Sequence, residues 1–253
     1  SLEDSFSRLA RYGISYVEMK GDHFRRLPNH EIRNIKSLLE KYNLQVSGVC
    51  GMFDIDHDLA SPEKASRMAA VDYIKSEIEF VHEIGGKYLI VVPSAVGRPD
   101  SSDTEEFSRS VETIRLCGDS FITSGVHAAI EPIRSAEVSL IHSVNDALVY
   151  IKAVDHQGIS RLNCDIYHML LEEDHIGESL LAAGGALVNL HLADTNRDAL
   201  GKGMMDVDTV IKSSYLIGMN SRGRYLTPEP LGTLRNPYVR GSEICTPKML
   251  DNM

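Results

Sequence analysis

Residues 162–191 read LNCDIYHMLLEEDHIGESLLAAGGALVNLH, and the fold turns on how this segment is parsed. Leu162–Asp165 and Leu187–His191 are short, mostly apolar runs, and each ends on a side chain able to hold a metal. Between them the acidic run Glu172-Glu173-Asp174 marks a helix N-terminal region, where negative charge is favoured by the helix dipole. Strand, helical crossover and second strand together describe parallel pairing, because a crossover of this length carries the chain back to the same end of a sheet. Such strands stay apolar because helices cover the faces of the sheet.

The same unit recurs in both directions. Strands are expected at Tyr16–Met19, Val46–Val49, Tyr88–Val92, His127–Glu131, Leu162–Asp165, Leu187–His191 and Tyr225–Glu229. Helical patterns cover Leu2 to Tyr12, Thr104 to Ser124, Val144 to Val154 and Val207 to Met219. The clearest runs from Pro62 to Gly85, with Ser61 as N-cap, Pro62 at the first helical position and Gly85-Gly86 as the stop. This alternation predicts an α/β protein, a (β/α)8 TIM barrel forming a single domain over residues 1–253. The first helix begins with no strand ahead of it, so the first strand of an eight-stranded barrel is expected to be missing from this chain. A doubly wound open sheet is the rival, but it would normally show a Gly-rich phosphate loop after an early strand, and none is present.

Composition narrows the partners. Hydrophobic content of 43% and charged content of 25% suit an ordinary soluble protein. No apolar run approaches the roughly 20 residues that span a bilayer, and no basic-then-apolar leader opens the chain, so a cytoplasmic protein away from membranes is expected. With 26 basic against 36 acidic residues, the net charge of −10 argues against nucleic acid. Arg222, Arg224, Arg235 and Arg240 fall in one late stretch; a solvated loop is expected there, with an anion site as the alternative. Cys50, Cys117, Cys164 and Cys245 form no CxxC and read as reduced thiols. Cys50, near a strand end, has no adjacent His to support a thiolate.

Four successive strands finish on metal-capable residues: Glu131, Asp165 with His168 three residues on, His191 with Asp194 following, and Glu229. In a barrel these ends converge on one mouth. Three carboxylates and an imidazole meeting there would repel strongly without a cation. Mixed oxygen and nitrogen donors suit one divalent ion, manganese, magnesium, cobalt or zinc, and do not choose among them. The remaining histidines, His23, His30, His82, His142, His156 and His175, read as surface or capping residues.

These residues resemble the xylose-isomerase-like barrel superfamily of sugar isomerases and epimerases, above all its ketose 3-epimerase branch of tagatose and psicose epimerases. The resemblance lies in Asp165-Ile166-Tyr167-His168, in His191-Leu192-Ala193-Asp194-Thr195-Asn196-Arg197 with Gly201-Lys202-Gly203, and in Thr227-Pro228-Glu229-Pro230. It extends to Glu131 through Glu137 and to Leu59-Ala60-Ser61-Pro62. It implies Glu131, Asp165, His191 and Glu229 as ligands, His168 and Arg197 on the substrate oxygens, and Glu137 and Glu18 as further substrate contacts. It also implies a homodimer or homotetramer. Arg134 stands where the epimerases commonly have Asn, and Asp194 where they have Glu, so the substrate-lining surface is expected to differ.

The expected reaction is isomerisation or epimerisation of a small keto sugar or sugar phosphate through a metal-stabilised enediolate. Glu131 and Glu229 would serve as the acid–base pair. A dehydratase or lyase of an inositol- or shikimate-type keto compound is the alternative on the same ligand set. An abasic-site endonuclease is disfavoured, because relatives of that kind carry extra histidines where this chain reads Val49-Cys50-Gly51-Met52 and Val91-Val92-Pro93-Ser94. A non-catalytic binding protein is disfavoured by His168 and Arg197 standing beside all four ligands.

Overall fold

The structure is a computed structural model that describes residues 1–21 and 27–232. Seven strands pair in sequence order and every pair is parallel. They are β1 (Tyr16–Lys20), β2 (Gln45–Cys50), β3 (Tyr88–Val91), β4 (His127–Ile130), β5 (Arg161–Asp165), β6 (Leu187–Leu192) and β7 (Tyr225–Pro228). The helices are α1 (Leu2–Arg11), α2 (Asn29–Lys41), α3 (Lys64–Glu83), α4 (Glu106–Arg115), α5 (Gly118–Ser124), α6 (Val144–Val154), α7 (Ile166–Glu172), α8 (Ile176–Ala183) and α9 (Val207–Leu216). At the start of β1, Tyr16 meets Tyr225 of β7 edge to face with ring centroids 5.2 Å apart, so the two outermost strands curve toward each other. This is the expected TIM barrel, nearly closed, with seven of eight strands among the described residues.

Two apolar layers hold it. The larger packs the outward faces of the strands against the helices, from Phe6 through Ile74, Phe121 and Leu180 to Met219. The smaller fills the barrel interior with Tyr88, Ile90, Ala129 and Val188, against which Cys50 and Tyr225 pack. Side chains on a strand alternate in direction. The residues that face inward beyond this plug therefore point to the mouth where the strands end.

Several boundaries differ from the sequence reading. α3 begins at Lys64, not Pro62, because the Ser61 hydroxyl accepts from the Glu63 N–H and closes a turn ahead of the helix. The stretch Thr104 to Ser124 is two helices: the Leu116 and Cys117 amides donate to the Thr113 and Ile114 carbonyls, a tightened last turn that ends α4 before Gly118. Glu172 is the last residue of α7, and Glu173-Asp174 follow it, so the run marks a helix C-terminus. The dipole argument survives on a different helix: Glu173 accepts from the Val144 amide (2.7 Å) at the start of α6. His175 caps α8 by accepting from the Glu178 amide (3.2 Å). Among the described residues no helix is long and apolar enough to cross a membrane. His23, Arg235, Arg240 and Cys245 lie outside the described residues.

Candidate active site

The last strands carry their polar residues in pairs two apart: Asn163 and Asp165 on β5, Asn189 and His191 on β6, Thr227 and then Glu229 at the end of β7. Spacing of two puts both members on the same face, so each pair forms a lower and an upper position at the barrel mouth. The lower positions are linked. Thr227 Oγ1 donates to Asn189 Oδ1 (2.8 Å), Asn189 Nδ2 donates to Asn163 Oδ1 (2.8 Å), and Asn163 Nδ2 donates to Glu131 Oε1 (2.8 Å). Buried amides satisfied in this way fix the side chains above them. The sequence reading missed Asn163, Asn189 and Thr227, although a polar residue two before each expected ligand was its visible signal.

In the upper tier the four residues expected as ligands come together. His191 Nδ1 lies 3.7 Å from Glu131 Oε1 and 3.6 Å from Glu229 Oε2. Donor atoms of Asp165, His191 and Glu229 lie within 4.8 Å of one another, and so do those of Glu131, Asp165 and His168. Asp165 belongs to both groups. Its Oδ1 accepts from the Tyr167 amide (2.9 Å) and caps α7, while Oδ2 is buried with no hydrogen-bond partner. An orphaned carboxylate oxygen aimed at other donors is what a bound cation would satisfy, and the donor set fits a divalent ion. The cluster also places His168 Nε2 3.5 Å from Asp165 Oδ2, closer to the ligand set than its expected role on substrate alone.

Burial raises the Glu131 carboxyl to about 8; His191 opposes this, and Glu229, Asp165 and Glu18 add to it. Glu229 rises to about 7, again chiefly through burial, with His191 opposing. Burial pulls His191 down, but the charges of Glu18, Glu229 and Glu131 outweigh it and hold the imidazole well above its ordinary value. His168, buried without a comparable surplus of negative charge, is lowered. Burial likewise pushes the Cys50 thiol well up, with Glu18 next, which disfavours a thiolate there.

Glu18 of β1 is bound from both sides. One oxygen lies 2.8 Å from His191 Nε2; the other accepts from Tyr88 Oη (2.6 Å) and Asn189 Nδ2 (3.0 Å). With the Nε2 proton held on this carboxylate, it is the Nδ1 proton that His191 would give up, baring toward Glu131 and Glu229 the lone pair a metal ligand requires.

The pocket above has a volume of about 270 Å3 and is lined by Glu18, Lys20, Cys50, Met52, Glu131, Glu137, His168, His191, Arg197, Thr227, Glu229 and Leu231, among others. Lys20, Met52 and Leu231 carried no sequence signal. Arg197 reaches the pocket from the loop after β6, where its backbone sits at φ 56°, an uncommon conformation for a residue with a side chain. Its guanidinium lies over the Tyr167 ring (4.7 Å) and 3.9 Å from Glu229. The loop is held by Asp194, whose carboxylate accepts from the amides of Thr195 (2.7 Å), Gly201 (2.7 Å) and Met205 (3.0 Å). Burial would raise this carboxyl, but the amides of Met205, Thr195, Gly203 and Gly201 bring it to about 2. Gly203 is needed for this close approach, since a Cβ there would collide with Asp194 Oδ1 and Thr195 Oγ1.

Neither departure from the epimerase pattern lines the pocket. Asp194 holds backbone. Arg134 Nε donates to Glu137 Oε1 (2.6 Å) and Nη1 to Tyr167 Oη (3.0 Å), so its charge is taken up behind the pocket wall. Arg222 and Arg224 precede β7 and lie at the opposite end of the barrel from Glu229. His57 packs on Tyr73 with ring centroids 4.8 Å apart and joins neither group of metal-capable residues.

The chain is 26% identical over 173 residues to the L-ribulose 3-epimerase of Methylomonas sp. strain DH-1, which covers 68% of this chain and 60% of that protein. It thus spans less than two thirds of that relative's length. It is 26% identical over 213 residues to the 3-dehydro-D-guloside 4-epimerase of Escherichia coli strain K12, covering 80% of this chain and 78% of the relative. The structure of D-psicose 3-epimerase with D-tagatose from Clostridium cellulolyticum H10 superposes with a TM-score of 0.84 at 21% identity, over 100% of this chain and 89% of that one, a likeness of fold. The Xylose isomerase-like TIM barrel family matches residues 6–214, from within α1 to within α9. With parallel strands in barrel order and polar residues gathered where the strands end, the chain belongs to the xylose isomerase-like TIM barrel family.

Proposed function

We propose that the protein is a metal-dependent epimerase of a small keto sugar, moving a proton on a carbon beside a ketone by way of an enediolate. The observation that carries this reading is the pair Glu131 and Glu229. They reach one pocket from separate strands, at 3.7 and 3.6 Å from the same histidine nitrogen. Inversion at carbon needs removal of a proton from one face and return to the other, which two carboxyl groups can divide between them. The two curated relatives, named as a 3-epimerase of a ketose and a 4-epimerase of a 3-dehydro sugar, both invert a carbon next to a ketone.

Glu131, Asp165, His191 and Glu229 would hold the ion, with manganese placed first. When bound, a divalent cation supplies Lewis-acid stabilisation of the developing negative charge. Arg197 and His168 orient the substrate oxygens, and Tyr167 supports Arg197 from behind by stacking. Glu18 fixes the ring and tautomer of His191. Glu137, held by Arg134, accepts from substrate hydroxyls. We place the neutral sugar ahead of its phosphate, because Arg134 is already paired and Arg222 and Arg224 lie at the far end of the barrel.

Incubation with Mn2+ in D2O and a panel of D-psicose, D-tagatose, L-ribulose and 3-keto glycosides tests this. The expected result is an epimer of unchanged constitution carrying one deuterium at the inverted carbon. A product lighter by one water would instead support the dehydratase reading. No deuterium incorporation into any keto sugar would overturn the proposal.

A further inference from the structure

The barrel has a second mouth, where the strands begin, and the chemistry there is opposite in sign. A cavity of about 340 Å3 is lined by Lys87, just before β3, His127 at the start of β4, Arg161 at the start of β5, and Arg222 and Arg224 before β7. Among the described residues no carboxylate lines it. Among the described residues none of these five side chains takes part in an ion pair, although the chain as a whole carries 36 acidic against 26 basic residues. Four cations and an imidazole gathered without counter-charge repel one another, so the cavity is poised for an anion.

Two of the guanidiniums are also fixed in place. Arg161 Nη1 donates to the Gly185 carbonyl (2.9 Å). Arg224 donates to the carbonyls of Gly184 (3.1 Å), Leu187 (2.8 Å) and Gly185 (3.2 Å). These neutral acceptors anchor the guanidiniums without cancelling their charge. Nδ1 of His127 is shielded from solvent and has no hydrogen-bond partner. Four residues of strand, about 13 Å, separate His127 from Glu131, so this cavity and the metal-capable cluster are distinct sites.

We propose that this cavity binds a phosphate group, either free inorganic phosphate or the phosphate of a small ester. Arg161, Arg222 and Lys87 supply the charged donors, and His127 lines the cavity beside them. Planar guanidiniums match the geometry of phosphate oxygens, and such charge-assisted bonds are the strong ones. A small ligand is favoured over nucleic acid, because the chain's overall net charge of −10 repels an extended polyanion.

The test is a calorimetric titration of the full chain with inorganic phosphate, repeated with glycerol phosphate. The double variant K87Q/R222Q is the first comparison, since neither side chain makes a hydrogen bond or ion pair among the described residues and the fold does not lean on them. R161Q is the second. One saturable site is expected, weakened about tenfold or more in K87Q/R222Q, on the scale of one lost charge-assisted contact. Glycerol phosphate binding more tightly than inorganic phosphate would identify an ester as the ligand, and the reverse would identify the free ion; either supports the site. Absence of saturation up to about 20 mM, near the weak end of measurable affinity, would overturn the proposal. So would binding that persists in K87Q/R222Q and R161Q but disappears in R197Q, which would move the phosphate to the other mouth.

Discussion

Loading the metal-free protein with Mn2+ should expel protons, and the number can be worked from the site. Burial and mutual repulsion hold Glu131 at about 8 and Glu229 at about 7. At pH 7 the first is therefore about 90% protonated and the second about half, roughly 1.4 protons between them. A cation needs both as carboxylates, so those protons leave. His191, held well above its ordinary value by the same carboxylates, adds up to about one more when its Nδ1 turns to the metal. The sign follows: protons compete with the ion, so apparent affinity rises with pH, with a slope of log K between about 1.4 and 2.4 near pH 7. The slope flattens above about pH 8, where Glu131 has already ionised. Isothermal titration calorimetry in two buffers of different ionisation enthalpy counts the protons directly. E131Q should lower the count by about 0.9 at pH 7. A slope below about 0.5 between pH 6.5 and 7.5, or one unchanged in E131Q, would refute the picture of carboxyl groups kept neutral by burial until a cation replaces their protons.

Other perturbations separate the remaining roles. E131Q, with bound metal verified, should reduce turnover by about 10³-fold, within the range of a lost acid–base group; undiminished turnover would end the two-glutamate scheme. E18Q should weaken Mn2+ binding about 10- to 100-fold, with most turnover regained at saturating metal, as for an outer partner of a ligating histidine. An unchanged dissociation constant in E18Q would remove Glu18 from that role. D194N should loosen the loop between β6 and α9 by about 2 kcal/mol, because charge-assisted bonds to backbone amides are lost. Faster hydrogen exchange over residues 195–205 and a raised KM would report it; normal exchange would show that the amides do not depend on the charge. Asp194, lowered from 3.8 to about 2 in the folded chain, contributes stability that is present above its unfolded value and disappears as pH falls through about 2. Wild type should therefore keep this loop protected at pH 4, and D194N should lose that acid dependence.

The fold was legible because each strand is a short apolar run, the last four stopping on a carboxylate or imidazole, and parallel pairing follows from the helices between. The convergence of Glu131, Asp165, His191 and Glu229 was legible for the same reason, since barrel topology alone brings strand ends together. The function of the departures was not. Arg134 and Asp194 differ from the epimerase pattern at positions read as substrate-lining, yet one is absorbed by Glu137 and the other by backbone amides. Those partners lie up to eleven residues away through loops whose path no periodicity reveals. Ser61 misled for a related reason: a hydroxyl before Pro62 serves a turn as well as a helix cap, and only the Glu63 amide decides between them. The resemblance implied Glu18 as a substrate contact, and it lines the pocket; its bonds to His191, Tyr88 and Asn189 emerge only when β1, β3 and β6 are brought together.

The doubled spacing on β5, β6 and β7 makes the site a reporter of correct strand register. A shift of one residue in any of these strands turns both its ligand and the amide or hydroxyl beneath it to the outside of the barrel at once. Insertions and deletions are thus confined to the loops, where this chain is free to diverge in what it recognises. High-affinity metal uptake during refolding would then mark the moment the last strands lock, and could time barrel closure without any added label.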